Sequence, residues 1–188
     1  MRIQGLQKLT LLDYPGRTAC TVFLSGCNFR CPFCHNAPLL QGDTGDAMDE
    51  DALLLFLKKR QGVLDGVAVT GGEPLLRQEL PSLLEKIKAL GYAVKLDTNG
   101  AFPERLEAIV QAGLADYVAM DVKNSPERYA QTIGVCAPDL TPVFKSVSFL
   151  LRGTVAYEFR TTAVAELHDD ASFQKLGDWL AGAERYFI

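Results

Sequence analysis

Three cysteines crowd into eight residues: Cys27, Cys31 and Cys34, in the run Ser25-Gly26-Cys27-Asn28-Phe29-Arg30-Cys31-Pro32-Phe33-Cys34-His35-Asn36. Thiolates at C-x3-C-x2-C spacing lie on a loop short enough to wrap one inorganic cluster. A cubane cluster has four irons, so three protein thiolates leave one iron without a protein ligand. An open position of that kind separates a catalytic metal site from a closed structural one. A structural zinc site would need a fourth ligand, and His35 follows Cys34 too closely to be an easy one. The remaining cysteines, Cys20 and Cys136, read as ordinary core and loop residues, since free cysteine commonly buries. Five cysteines, an odd number with three clustered, do not form a secreted disulfide framework. A metal or redox site in a reducing cytoplasm is the expectation.

Further polar groups stand where β-type runs end. Thr70-Gly71-Gly72-Glu73-Pro74 offers two glycines that let backbone approach a ligand and a carboxylate able to pair with an ammonium group. Alone, the tetrapeptide Gly71-Gly72-Glu73-Pro74 is as much a turn as a site. Lys95-Leu96-Asp97-Thr98-Asn99-Gly100 reads as a polar turn in which Asn-Gly supplies an unusual backbone angle. Asp121 and Lys123, two apart on a strand, point to the same face. Glu158, Arg160 and Thr162 alternate to one face of the next run, an unusual polar lining for an inner strand, where Arg160 suits a carboxylate or a paired acid inside the fold. His168 stands beside Asp169 and Asp170, as a ligand or as a residue of a helix cap.

The elements that position these groups follow a repeating rhythm. Runs 21–25, 66–70, 93–97, 117–122, 157–163 and 185–188 are short and mostly apolar, as buried parallel strands are. Between them lie helical stretches. Met48–Arg60 is crowded with leucines; Leu80 to Leu90 carries Pro81 near its start and Gly91 past its end; Pro103 to Gly113 repeats that pattern. Thr141-Pro142 opens another helix closed by Gly153, and Asp170 is a candidate cap for the last. Strand then helix, five times with a sixth strand, means an α/β fold with a parallel sheet. An open doubly wound sheet and a partial (β/α) barrel both satisfy the pattern. In either, ligands sit at the carboxyl ends of the strands.

With 188 residues and no dividing linker, the chain reads as a single domain, residues 1–188. It ends in an apolar run at Tyr186-Phe187-Ile188, which suggests a truncated form or fragment. Lys plus Arg number 19 against 23 for Asp plus Glu, a net charge of −4, which argues against a nucleic-acid surface. Apolar runs such as Ala52–Leu57 fall far short of the roughly 18 residues a membrane span needs.

The C-x3-C-x2-C loop at the end of the first strand resembles that of the radical S-adenosylmethionine (SAM) superfamily. Leu9-Thr10-Leu11-Leu12-Asp13-Tyr14-Pro15-Gly16 before it, and Cys34-His35-Asn36 within it, resemble the glycyl-radical-enzyme activases that serve anaerobic ribonucleoside-triphosphate reductases. Pyruvate formate-lyase activases have a similar loop. The resemblance implies a partial (β/α)6 TIM-like barrel and a [4Fe–4S] cluster on Cys27, Cys31 and Cys34. SAM's amino and carboxylate groups would chelate the open iron, and one electron would split SAM into methionine and a 5′-deoxyadenosyl radical. It further implies Phe33 near the adenine, with Glu73 of the Gly71-Gly72-Glu73 motif on the SAM amino group. Asp97, Thr98 and Asn99 would neighbour the ribose or the methionine carboxylate. Asp121 and Lys123 would help hold SAM, the aspartate through a monovalent cation, with His168 near it. The implied partners are a glycyl radical enzyme as protein substrate and a reduced flavodoxin or ferredoxin as electron donor. An activase for another glycyl radical enzyme, a radical SAM enzyme on a small molecule and an iron–sulfur electron carrier are the alternatives. The last is disfavoured by the missing fourth thiolate.

Overall fold

A computed structural model describes residues 1–41 and 47–188. In chain order its elements begin with β1 (Arg2–Ile3), β2 (Gly5–Thr10), β3 (Ala19–Leu24), β4 (Met48–Asp49), α1 (Glu50–Lys59) and β5 (Gly66–Gly71). Then come α2 (Leu80–Ala89), β6 (Ala93–Thr98), α3 (Pro103–Gln111), β7 (Tyr117–Asp121) and α4 (Tyr129–Ile133). The last are α5 (Thr141–Leu151), β8 (Ala156–Arg160), α6 (Asp170–Trp179) and β9 (Tyr186–Phe187).

The main sheet has the order β2-β3-β5-β6-β7-β8-β9. Its first pairing is antiparallel and the five that follow are parallel. The strand order never reverses, whereas a doubly wound sheet must reverse at its switch point. The chain therefore winds in one direction, as a partial α/β barrel with β2 and β9 at its edges. All six expected parallel strands form. The antiparallel β2, the small β1–β4 ribbon and the single-turn α4 were not anticipated: β2 is half exposed and lacks an apolar signature.

Alternation along each strand sorts the two faces. Val67, Val69, Val94, Leu96, Val118, Met120, Tyr157 and Phe159 face outward and pack with Leu83, Leu84, Ile87, Leu106, Ile109, Val147 and Leu176 of the helices in one core. The inward face carries Ala19, Gly66 and Ala68 on β3 and β5, and Ala93, Lys95, Asp97, Asp121, Glu158 and Arg160 on β6, β7 and β8. Tyr14 and Tyr117, 6.1 Å apart, close the lower end of this lumen with Ala19 and Ala93.

Two boundaries differ from the sequence reading. Helix α1 starts at Glu50 rather than Met48, because Asp49 must be extended for its carboxylate to accept the Ala52 N–H at 2.7 Å, so Met48 and Asp49 pair with β1 instead. Helix α6 is capped by Asp169, not Asp170, through a reciprocal box with Ser172. Cys20 is buried in β3 and Cys136 is exposed, as expected. Among the described residues no helix is long and apolar enough to cross a membrane.

The ends of β3 and β5 meet without side chains between them. Gly72 N–H donates to Leu24 O and Glu73 N–H to Gly26 O, both at 2.8 Å. A Cβ on Gly71 would lie 2.2 Å from Leu24 O, and one on Gly72 2.0 Å from Gly26 O. Gly71 also has φ +122°, a conformation that side chains disfavour. The glycines are thus required by close approach of two protein backbones, quite apart from any ligand. Gly72→Ala is expected to destabilise the protein by about 3 kcal/mol or more, since neither backbone can yield. A thermal melt measures this, and a variant as stable as the parent would show the seam to be loose.

Candidate functional site

At the carboxyl ends of the strands lies a cavity of about 230 Å³. It is lined by Cys27, Cys31, Phe33, Cys34, Gly71, Gly72, Asp97, Thr98, Asn99, Asp121, Lys123 and Arg160, residues from five separate strand ends and loops. Phe29, His35, Asn36, Leu40, Thr70 and Thr162 complete the wall. Of the residues singled out in the sequence, Glu73 and His168 stand behind this wall rather than on it.

The cysteine loop is clamped at several points. Gly26 N–H donates to Leu39 O at 2.7 Å, Arg30 N–H to Ile133 O at 2.8 Å, and Cys34 N–H to Cys31 O at 3.1 Å. The Arg30 guanidinium folds back onto the carbonyls of Cys27 and Phe29 at 2.5 and 2.7 Å. Asn36 reaches across to Gly71 O at 3.0 Å. Phe29 is buried and meets Tyr129 edge-on, ring centres 6.4 Å apart. Cys27 Sγ accepts from Phe29 N–H at 3.4 Å and from Asn99 Nδ2 at 3.8 Å. Burial pushes the Cys27 and Cys31 thiols up, so metal binding there must release their protons.

All three thiols are free. Among the described residues no three Cys, His, Asp or Glu groups converge tightly enough for a single ion. A cluster spreads its ligands over separate irons. Three soft donors on one wall of a polar cavity fit a cluster of that kind.

Glu73 is fully buried. Its Oε1 accepts from Leu75 N–H at 3.0 Å and from the Thr98 hydroxyl at 2.9 Å, while Oε2 accepts from Asn99 N–H at 2.7 Å. The carboxylate therefore ties the turn after β5 to the turn after β6, and most of its acceptor capacity is engaged inside the protein. Burial, the larger influence, outweighs these three donors and pushes its pKa up to about 7. His168 Nε2 lies 3.0 Å from Lys123 O and must carry a hydrogen there, since a carbonyl only accepts. Its Nδ1 meets the backbone of Val164, and its ring stacks on Phe173 at 5.3 Å. The histidine thus fastens the loop after β8 to the end of β7.

The floor of the cavity is a row of opposed charges. Lys123 Nζ bonds Asp121 Oδ2 at 2.8 Å, and Arg160 Nε bonds Asp121 Oδ1 at 3.0 Å. Arg160 also reaches Asp97 Oδ2 at 3.3 Å, and buried Lys95 pairs with the other oxygen of Asp97. Glu158 accepts from Tyr117 OH at 2.7 Å below them. Burial works against a charge on Asp121, but Lys123 and Arg160 together overcome it and hold its pKa at about 2. Lys95 was missed in the sequence, although the same-face spacing that paired Asp121 with Lys123 also pairs Lys95 with Asp97. Asn28, which accepts from Asn99 Nδ2 at 2.9 Å, had no such signal.

Comparison with known proteins bears on this geometry. Residues 21–151 match the family model of the Radical SAM superfamily. A Methanocaldococcus jannaschii protein, provisionally named a glycyl-radical enzyme activating enzyme, is 30% identical over 195 residues, spanning 99% of this chain and 78% of its own. The pyruvate formate-lyase-activating enzyme of Clostridium pasteurianum is 33% identical over 129 residues, covering 65% of this chain and 52% of that protein. The crystal structure of Streptococcus suis SuiB bound to precursor peptide SuiA shares the fold, with TM-score 0.66 and 15% identity over 85% of this chain and 35% of that one. The chain belongs to the radical SAM superfamily and is an enzyme whose cofactors are a [4Fe–4S] cluster and SAM. Within that class it falls in the glycyl-radical-enzyme activating group.

Glu73→Gln turns an amide nitrogen or a lone acceptor toward three donors. The variant is expected to lose about 1–3 kcal/mol of stability, measured by denaturant unfolding. The pH dependence has a definite sign. The folded pKa lies above the ordinary 4.5, so the contribution of Glu73 is full below pH 4.5 and is lost as pH rises through about 7. The stability difference between parent and variant should therefore shrink from pH 5 to pH 8, by up to about 3 kcal/mol. A difference that stays flat over that range would show the carboxylate to be ionised throughout.

Proposed function

We propose that this chain is the activase of an anaerobic ribonucleoside-triphosphate reductase, with residues 1–188 acting as one radical SAM domain. The observation that carries the reading is the single cavity in which three free thiols face a charge-paired floor at the carboxyl ends of the strands. Cys27, Cys31 and Cys34, which line the cavity, would hold the cluster. When bound, cluster and SAM supply a 5′-deoxyadenosyl radical, for which a reduced flavodoxin or ferredoxin provides the electron.

The remaining wall has the work of holding and orienting. Gly71 and Gly72 present backbone to the methionine part of SAM. Lys123 and Arg160 face its carboxylate, and Phe33 borders the adenine. Thr98 and Asn99 act from positions fixed by Glu73, which is a positioning residue. His168 acts at one remove, by holding the Lys123 carbonyl. The preference for a reductase as target rests on the flanking residues: Tyr14 of the Leu9–Gly16 segment plugs the lumen, and Asn36 of Cys34-His35-Asn36 binds Gly71 O. A pyruvate formate-lyase type of target is the second reading, favoured by the Clostridium relative.

Replacing Cys27, Cys31 or Cys34 by Ala is expected to abolish the visible absorbance of the reconstituted cluster and, with it, SAM cleavage. Cys20→Ala and Cys136→Ala should retain both, the former with a small loss of stability. Loss of iron from Cys20→Ala as complete as from Cys31→Ala would overturn the three-ligand assignment. The target is decided by electron paramagnetic resonance. A glycyl radical signal on an anaerobic ribonucleotide reductase, and none on a pyruvate formate-lyase, is the expected result; the converse would establish the second reading.

A further inference from the structure

The floor of the cavity contains two carboxylates on neighbouring strands, the arrangement a hard cation would seek. Their four oxygens are all engaged by positive side chains. On Asp97, Oδ1 meets Lys95 and Oδ2 meets Arg160 at 3.3 Å; on Asp121, Oδ1 meets Arg160 at 3.0 Å and Oδ2 meets Lys123 at 2.8 Å. Strand register fixes the central contact, because Asp121 and Arg160 are direct partners across the β7–β8 pair. The planar guanidinium, with donors on three nitrogens, bridges the two acids. Its third nitrogen lies 3.9 Å from Glu158. Three acids thus face three bases, and the row is neutral. A metal ion added between Asp97 and Asp121 would have to displace Arg160 or sit against three positive groups.

We propose that Arg160 is the built-in cation of this site: its guanidinium bridges Asp97 and Asp121, so that the chain takes up no monovalent metal ion there and binds SAM equally in any monovalent salt. The first clause stands on the side chains alone; only the second rests on the SAM-binding reading. Arg160 is in this sense a positioning residue, keeping Asp121 fixed beside Lys123. This proposal stands against the expectation of a monovalent cation on Asp121.

The test uses the reconstituted chain at matched ionic strength in sodium, potassium or N-methylglucamine chloride. Without SAM, the parent should show no saturable broadening of the sodium-23 resonance and the same melting temperature in all three salts. Arg160→Ala should gain saturable sodium broadening, reversed by potassium, and a melting temperature that rises with either metal ion. With SAM, calorimetric affinity of the parent should agree within about twofold across the salts, while Arg160→Ala should lose about tenfold in N-methylglucamine and recover part of it in sodium or potassium. Saturable sodium binding by the parent, abolished in Asp97→Asn, would overturn the proposal, as would a parent SAM affinity that falls about tenfold without metal ions. Should Arg160→Ala fail to fold, the parent measurements alone decide. A parent that binds no SAM in any salt would sink the functional reading while the sodium and melting measurements still judged Arg160.

Discussion

The seam between Leu24–Gly26 and Gly71–Glu73 governs the rest of the site. Two strand ends approach so closely that no Cβ fits between them, and two backbone hydrogen bonds of 2.8 Å join them. This contact launches the cysteine loop from one side and the Glu73 turn from the other. Had either glycine been an ordinary residue, β3 and β5 would splay, and the thiols would part from the Thr98 and Asn99 turn. Backbone geometry is the stiffest material a protein has, since its only soft coordinates are φ and ψ. A site whose parts must stay registered gains from being fixed through such contacts rather than through long side chains.

Electrostatics imposes the second constraint. The later strands carry five charged groups into the lumen. Isolated, each would be costly there; paired, they hold one another. The pairing follows from strand periodicity, since residues two apart share a face and neighbours in register stand opposite. At the lower end of the same lumen the small residues Ala19 and Ala93 leave space that Tyr14 and Tyr117 fill. Charge is thereby concentrated near β6, β7 and β8, opposite the thiols that emerge from β3.

Much of this was legible in the sequence. The six parallel strands announced themselves as apolar runs, and the cysteine spacing was specific. Strand order was not legible, because register and neighbours depend on long-range pairing. Strand β2 escaped because one face of an edge strand meets solvent and shows no apolar run. For Glu73 and His168 the family resemblance implied places beside SAM; the structure adds that one carboxylate is engaged by three internal donors, and one imidazole by two backbone segments. Sequence motifs identify which residues share a neighbourhood. They do not say which of them form its inner wall and which stand behind it.

That second layer gives the cavity its coherence. Glu73 fixes Asn99 through its backbone N–H, and Asn99 in turn directs its side-chain amide at Cys27 Sγ and Asn28. On the far side, His168 holds the Lys123 carbonyl while Tyr129, packed against Phe29 of the cysteine loop, accepts the Lys123 N–H at 3.3 Å. The cysteine loop is therefore tied by one route to the ends of β5 and β6 and by another to the end of β7. A loop carrying three thiols would otherwise be free to rearrange whenever a thiolate lost its metal. Anchored through both routes, the loop keeps the thiols facing one cavity by means of the protein's own hydrogen bonds, and metal binding then acts on a wall already in place.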